Sequence, residues 1–156
     1  MRLALFQPDI PQNLGSALRL GACLSVAVDV IEPCGFPLSD AAVRRAAMDY
    51  MAIAEVRRHS GWTAFLAAQR EVGRRILLFT TRGAEPFQDF VFGEDDVLLF
   101  GRESAGVPDE VHEAADARLI IPIAAGARSL NVVTAAAMAL GQALRATGGF
   151  PKAGAS

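Results

Sequence analysis

Leu98-Leu99-Phe100-Gly101-Arg102-Glu103-Ser104-Ala105-Gly106-Val107-Pro108 is the stretch that decides the fold of this chain. With Val97 in front of it, an unbroken apolar run enters a glycine-bounded turn that carries a carboxylate. A proline then opens a helix. A short apolar run without alternation is what a strand covered on both faces requires, and such strands belong to parallel sheets. Ligands of open α/β sheets bind beyond the carboxyl ends of strands, so the turn at 101–107 is placed for a small molecule. It is neither of the two common phosphate loops. Gly101 and Gly106 have the outer spacing of a P-loop, but Val107-Pro108 stand where Lys-Ser/Thr is required. No GxGxxG is present.

The same alternation extends in both directions. Leu3-Ala4-Leu5-Phe6, Val26 to Ile31, Ile53 to Val56, Arg75 to Thr80 and Leu119-Ile120-Ile121 are expected as strands. Between them, a helix is expected from about Gln12, with Leu14, Ala17, Leu18, Gly21 and Ala22 as its apolar stripe. Others are expected over Ser39 to Met48, after a Ser60 cap, over Pro108 to Ala115 and over Leu130 to Arg145, with Ser39 and Ser129 as further caps. Strands alternating with helices give an α/β fold, a mainly parallel sheet with helices on both faces. The length fits one domain, 1–150, followed by a short disordered tail, 151–156.

Composition narrows the class. Hydrophobic residues make up 52% and charged residues 21%, which is globular. No apolar run approaches the ~20 residues of a membrane span, and the N-terminus lacks the pattern of a signal peptide. Cys23 and Cys34 have no CxxC spacing and only His59 and His112 to join them. The expectation is a reduced, metal-free, cytoplasmic protein. The net charge of −2 argues against a dedicated nucleic-acid binder. Fourteen of the fifteen basic residues are nevertheless arginine, whose planar fork suits phosphate. Pairs stand at Arg44-Arg45, Arg57-Arg58 and Arg74-Arg75, where ordinary solvated element ends are an equal explanation.

Two more segments carry more than packing. In Asn13-Leu14-Gly15-Ser16-Ala17-Leu18-Arg19, the residues Gln12, Ser16 and Arg19 form a polar helix face. Gly15 costs the helix roughly 1 kcal/mol relative to alanine, so a close approach of ligand or chain is expected there. Arg19 by itself reads first as an ordinary surface arginine on an amphipathic helix. In Ile121-Pro122-Ile123-Ala124-Ala125-Gly126-Ala127-Arg128-Ser129-Leu130-Asn131, a loop of small residues leads polar groups to a helix start. Ala135, Ala136, Ala137, Ala139, Gly141 and Ala143 then give the last helix a small-sided surface onto which a neighbouring element or second subunit can pack.

Taken together the three segments resemble the motifs of the SPOUT superfamily, the trefoil-knotted RNA methyltransferases. They are most similar to its minimal, TrmL-like tRNA 2′-O-methyltransferases, which act on the wobble cytidine or modified uridine of leucine tRNAs. Pro8-x-Ile10-Pro11-Gln12-Asn13, Ile31-Glu32-Pro33-x-Gly35-Phe36, Arg44-Arg45 with Asp49-Tyr50, and Thr80-Thr81-x-Gly83 also match. The resemblance runs from Leu3 to about Ala146. It implies a deep C-terminal trefoil knot, a homodimer, and S-adenosyl-L-methionine as cofactor, leaving S-adenosyl-L-homocysteine, with no metal. It implies cofactor-binding roles for Phe79, Thr80, Gly101, Glu103, Ile121, Ser129 and Leu130. It implies catalytic roles for Arg19, Asn13, Glu103, Ser129 and Asn131. The matching positions and the arginine pairs suggest that Arg19, Arg44, Arg45, Tyr50, Arg57 and Arg58 meet RNA. In one respect the chain departs from some relatives, which carry a tyrosine on the last helix where this one has Leu140-Gly141-Gln142. Two other readings stay open: a knotted methyltransferase for a different RNA, and an RNA-binding or ribosome-assembly module that keeps the pocket without turnover.

Overall fold

The computed structural model describes residues 1–39, 41–82 and 85–152. Seven parallel strands form one sheet in the order β3-β2-β1-β6-β4-β7-β5. They are β1 (Arg2–Phe6), β2 (Ala27–Ile31), β3 (Val56–His59), β4 (Ile76–Phe79), β5 (Glu85–Pro86), β6 (Val97–Phe100) and β7 (Ala117–Ile120). The helices are α1 (Pro11–Leu24), α2 (Ala41–Ala47), α3 (Trp62–Glu71), α4 (Asp109–Ala114) and α5 (Val132–Thr147).

β1, β2, β4 and β6 are buried throughout, as continuous apolar runs in a covered parallel sheet must be. Period-two alternation sends their side chains to two cores. Leu3, Leu5, Val28, Val30, Leu77 and Leu98 pack under α1, α2 and α5 through Leu14, Leu18, Val43 and Leu140. Ala4, Ile31, Ile76, Leu78 and Leu99 pack under α3 and α4 through Phe65 and Val111. Each buried Leu, Ile or Phe contributes about 1.5–3 kcal/mol of burial, which makes these two layers the main support of the fold. One polar cluster lies within the second layer. The buried Asp29 accepts from Arg2 Nη2 at 3.3 Å and pairs with His59 Nε2 at 2.7 Å, joining the first three strands of the chain.

Several element boundaries differ from those expected. Ile53 to Val56 is not a strand. A 3-10 turn occupies Met48–Ala52, Ile53 is 70% exposed, and pairing with β2 begins only at Val56. β5 has no apolar signal, since its two residues are exposed at the sheet edge. Ser60 does not cap α3, because Gly61 holds that position without a side-chain bond. Ser129 does not cap α5. Asn131 does, its Oδ1 accepting from the N–H groups of Val133 at 2.9 Å and Thr134 at 3.2 Å. The helix expected from Ser39 is present as α2 from Ala41, and Asp40, which would follow a Ser39 cap, lies outside the described residues. Within the matching stretches Gly83, and within the tail residues 153–156, lie outside the described residues. Among the described residues no helix is long and apolar enough to cross a membrane.

Candidate functional site

The carboxyl ends of β4, β6 and β7 lie side by side, and a cavity of about 580 Å³ opens there. Its apolar wall comes from strand ends: Leu78 and Phe79 from β4, Phe100 from β6 and Ile120 from β7. The Phe79 and Phe100 rings stack at 4.9 Å between centroids. Polar groups come from the loops that follow: Thr80 to Arg82, Gly101 to Ser104, and Ser129 to Asn131. All seven residues expected at a cofactor, Phe79, Thr80, Gly101, Glu103, Ile121, Ser129 and Leu130, line this one cavity.

The loop after β6 is a tight hairpin. The N–H groups of Arg102 and Gly106 each donate to the other's carbonyl at 2.9 Å. A Cβ on Gly101 would stand 2.7 Å from the Gly106 carbonyl carbon, so only glycine lets the hairpin close. The closed hairpin fixes Glu103 against the start of the chain. Asn13 Nδ2 donates to Glu103 Oε1 at 2.9 Å, and the Asp9 N–H donates to Glu103 Oε2 at 3.1 Å. Asn131 Nδ2 donates to Asn13 Oδ1 at 3.1 Å, so the cap of α5 continues the same network. The Asp9 carboxylate accepts from the Ser104 N–H at 3.3 Å and also from its hydroxyl.

Electrostatics separate the groups. Burial, with the Asp9 carboxyl beside it, pushes the Glu103 carboxyl above its ordinary range. Contact with Glu103 and the bonds from Ser104 hold Asp9 below its own. His112 lines the cavity from α4. Burial, and then Arg82 and Arg118, push its imidazole below the usual 6.5. The Arg102 guanidinium lies 5.7 Å over the Phe6 ring, and its buried Nε has no partner among the described residues.

The structure does not bring all expected site residues together. Glu103, Ser129 and Asn131 line the cavity, and Asn13 joins them by bonding to Glu103 and Asn131 without lining it, but Arg19 neither lines the cavity nor bonds to them. It is exposed on α1, its guanidinium 5.3 Å over the Tyr50 ring and 3.2 Å from Met48 Sδ. Arg44 and Arg45 are exposed on α2, which packs against α1. Gly15 makes that packing possible, since a Cβ there would lie 2.4 Å from the Val43 carbonyl oxygen. Arg57 and Arg58 are exposed on the edge strand β3, with Arg58 Nε paired to Glu32 Oε1 at 2.9 Å. Sequence reasoning missed Asp9, Arg102, Ser104 and His112. Asp9 occupied the variable slot of Pro8-x-Ile10-Pro11, and no local pattern distinguishes a carboxylate there from an ordinary loop residue.

Similarity to known proteins agrees with this geometry. The tRNA (cytidine(34)-2'-O)-methyltransferase of Ancylobacter novellus is 56% identical over 154 residues, covering 99% of this chain and 98% of that one. That of Beijerinckia indica subsp. indica is 57% identical over 150 residues, covering 96% and 94%. A solved structure concerned with 2-OH methylation of C/U34 on tRNA superposes with a TM-score of 0.89 at 39% identity, covering 93% of this chain and 94% of that one. An AdoMet-bound rRNA methyltransferase from Sinorhizobium meliloti gives 0.85 at 27% identity, covering 92% of this chain and 55% of that one. Residues 1–141 match the model of one methylase family over nearly the whole sheet and its cavity, and the chain belongs to that family, the SpoU rRNA Methylase family.

Proposed function

We propose that this protein is a cytoplasmic, homodimeric methyltransferase that transfers a methyl group from S-adenosyl-L-methionine to the ribose 2′-oxygen of nucleotide 34 in tRNA, leucine isoacceptors first among them. The observation that carries the reading is the hydrogen-bonded series Asn131–Asn13–Glu103, drawn from three distant parts of the chain, whose two ends line the cavity. Relatives at 56% and 57% identity bear the tRNA (cytidine(34)-2'-O)-methyltransferase name.

The cavity fits the cofactor. Its volume lies within the roughly 300–1,000 Å³ of small-molecule sites. The paired rings of Phe79 and Phe100 suit a purine base. Gly101 leaves room for close approach, and the unpartnered Arg102 Nε is a donor without an acceptor. Phe79, Thr80, Gly101, Ile121, Ser129 and Leu130 would hold the cofactor. When bound, it supplies a methyl group already activated by its sulfonium charge.

The chain's own residues orient the other reactant. Asn13 and Asn131 fix Glu103 and present amide groups toward a ribose. Arg19, with a guanidinium that stays protonated, is a phosphate or ribose clamp and no base. Arg44, Arg45, Tyr50, Arg57 and Arg58 offer further contacts to RNA phosphates and bases. A small-sided stripe on α5, where Thr134 and Ala137 are exposed and a Gly141 Cβ would meet nothing within 4 Å, suits close packing of a second copy. A knotted path after β7 accompanies this fold reading.

Labelled methyl from S-adenosylmethionine, offered to unmodified and cell-derived tRNA, tests the proposal when the labelled nucleotide is mapped. Label on the ribose of nucleotide 34 is the expected result. Label on ribosomal RNA alone would transfer the activity to another substrate. Cofactor binding without label on any RNA would leave a binding module.

A further inference from the structure

Asp9 and Glu103 make a contact that the assigned roles leave unused. The Asp9 N–H donates to Glu103 Oε2 at 3.1 Å, the neighbouring Ser104 N–H holds the Asp9 carboxylate at 3.3 Å, and Asp9 Oδ1 is buried with no hydrogen-bond partner among the described residues. Two ionised carboxylates in such contact repel, so the pair favours sharing one proton over its two charges. Both Glu103 oxygens already accept an N–H, from Asn13 and from Asp9, and the side chain lines the cavity.

Methyl transfer to a hydroxyl must dispose of a proton. The new bond joins the 2′-oxygen to the methyl carbon. The carbon–sulfur bond breaks, its electron pair stays on sulfur, and the hydroxyl proton leaves. Among the described residues lining the cavity, only Glu103 and His112 can take that proton near neutral pH, since Arg82 and Arg102 are permanent cations. His112 is the poorer acceptor, because burial and the charges of Arg82 and Arg118 oppose its protonation.

We propose that Asp9 and Glu103 work as a carboxyl pair in which Glu103 takes up the proton released from the substrate hydroxyl and Asp9 is its positioning neighbour. The proposal rests on the methyltransferase reading above. The groups bonded to Glu103 are few: the Asp9 N–H from the β1–α1 loop and the neutral amide of Asn13 from α1, which Asn131 holds in turn; Arg102 is its charged neighbour in sequence. Asp9 is thus the carboxylate that makes Glu103 the better base. Above the upper titration of the pair both groups are ionised and Glu103 accepts a proton readily. Below it the shared proton already occupies the site.

The test is the single-turnover rate of methyl transfer to tRNA as a function of pH. It compares wild type with Asp9→Asn, Asp9→Glu and Glu103→Gln, and cofactor affinity is measured alongside by calorimetry. The rate should fall as pH is lowered through the pair's upper titration. Glu103→Gln should lose about 10²–10⁴-fold, the usual worth of a proton acceptor. Asp9→Asn keeps an acceptor for Ser104 but removes the neighbouring charge. It should move the acid limb to lower pH and lower the plateau roughly tenfold, with cofactor affinity unchanged. Asp9→Glu should return the limb toward wild type. An Asp9→Asn profile that superimposes on wild type, or a rate loss matched by an equal loss of cofactor affinity, would overturn the pair while leaving the methyltransferase reading intact. Absence of transfer by the wild type to any tRNA would overturn that reading first. Carbon-13 titration of the Glu103 carboxyl in wild type and Asp9→Asn reports the contact independently, and an unshifted Glu103 titration in the variant would also overturn the pair.

Discussion

Asn13 Nδ2 donates to Glu103 Oε1 at 2.9 Å across 90 positions of sequence, tying the first turn of α1 to the hairpin after β6. Asn13 accepts in turn from Asn131, so its amide is satisfied on both sides by groups that border the cavity. Asn13→Ala removes one of the two donors to Glu103 and the acceptor of the Asn131 amide, and a partly buried carboxylate that loses a donor costs roughly 1–3 kcal/mol. We expect a urea midpoint lowered accordingly and methyl transfer reduced at least tenfold. Full transfer by a stably folded Asn13→Ala protein would remove the network from the mechanism.

Arg19 and the cavity are separate in space, which makes their contributions separable in solution. Arg19→Ala should leave calorimetric binding of S-adenosylmethionine at the wild-type value and lower methyl transfer to tRNA by about 10²-fold, the scale of one lost charged contact in a transition state. Arg19→Lys should recover little of it, since a lysine cannot reproduce the planar fork over Tyr50. Transfer unaffected by both substitutions would leave Arg19 a surface residue.

Gly15→Ala sets helix propensity against packing. Alanine gains roughly 1 kcal/mol within a helix. Here its Cβ would lie 2.4 Å from the Val43 carbonyl oxygen and 2.6 Å from Ala46 Cβ, contacts that only movement of α2 can relieve. Overpacking of this kind costs about 1–3 kcal/mol, so the net effect is destabilising. A thermal midpoint that falls is the expected outcome. A midpoint that rises would show that α2 yields freely.

His112 gives stability a pH dependence of known sign. Its folded-state titration lies below the usual 6.5, so the unfolded chain takes up the proton first as pH falls. The contribution is present above 6.5 and is lost as pH drops through the folded-state value. Urea unfolding at pH 8 and pH 5 should show a larger loss for wild type than for His112→Leu. Equal losses would mean that the imidazole is solvated in the folded state.

Much of this was legible in the chain. β4 and β6 are apolar runs too uniform to misplace, β1 and β2 read as strands despite the buried Arg2 and Asp29, and the α1 stripe appears where Leu14, Ala17, Leu18 and Gly21 put it. All seven expected cofactor residues line the cavity; Phe79, Thr80, Gly101 and Ile121 end or directly follow strands set by local pattern, whereas Glu103, Ser129 and Leu130 were reached through the family resemblance. The failures lie where tertiary contact overrides local signal. Val56–His59 is a strand although its first three residues are exposed, because β2 supplies the partner. Asn131 caps α5 where Ser129 was expected, and its free amide nitrogen is held by Asn13, more than a hundred residues away. Asp9 was invisible for the same reason, since its importance consists of contacts with Glu103 and Ser104.

The network that joins Asp9, Asn13, Glu103 and Asn131 also orders events in time. On the ribosome, β1 and α1 emerge early, and most of the sheet can pair before residue 131 leaves the tunnel. The cavity lacks a wall until then, because Ser129, Leu130, Asn131 and Val132 all border it. A chain stalled short of α5 therefore lacks part of the cavity wall, and the site forms only once Asn131 docks on Asn13.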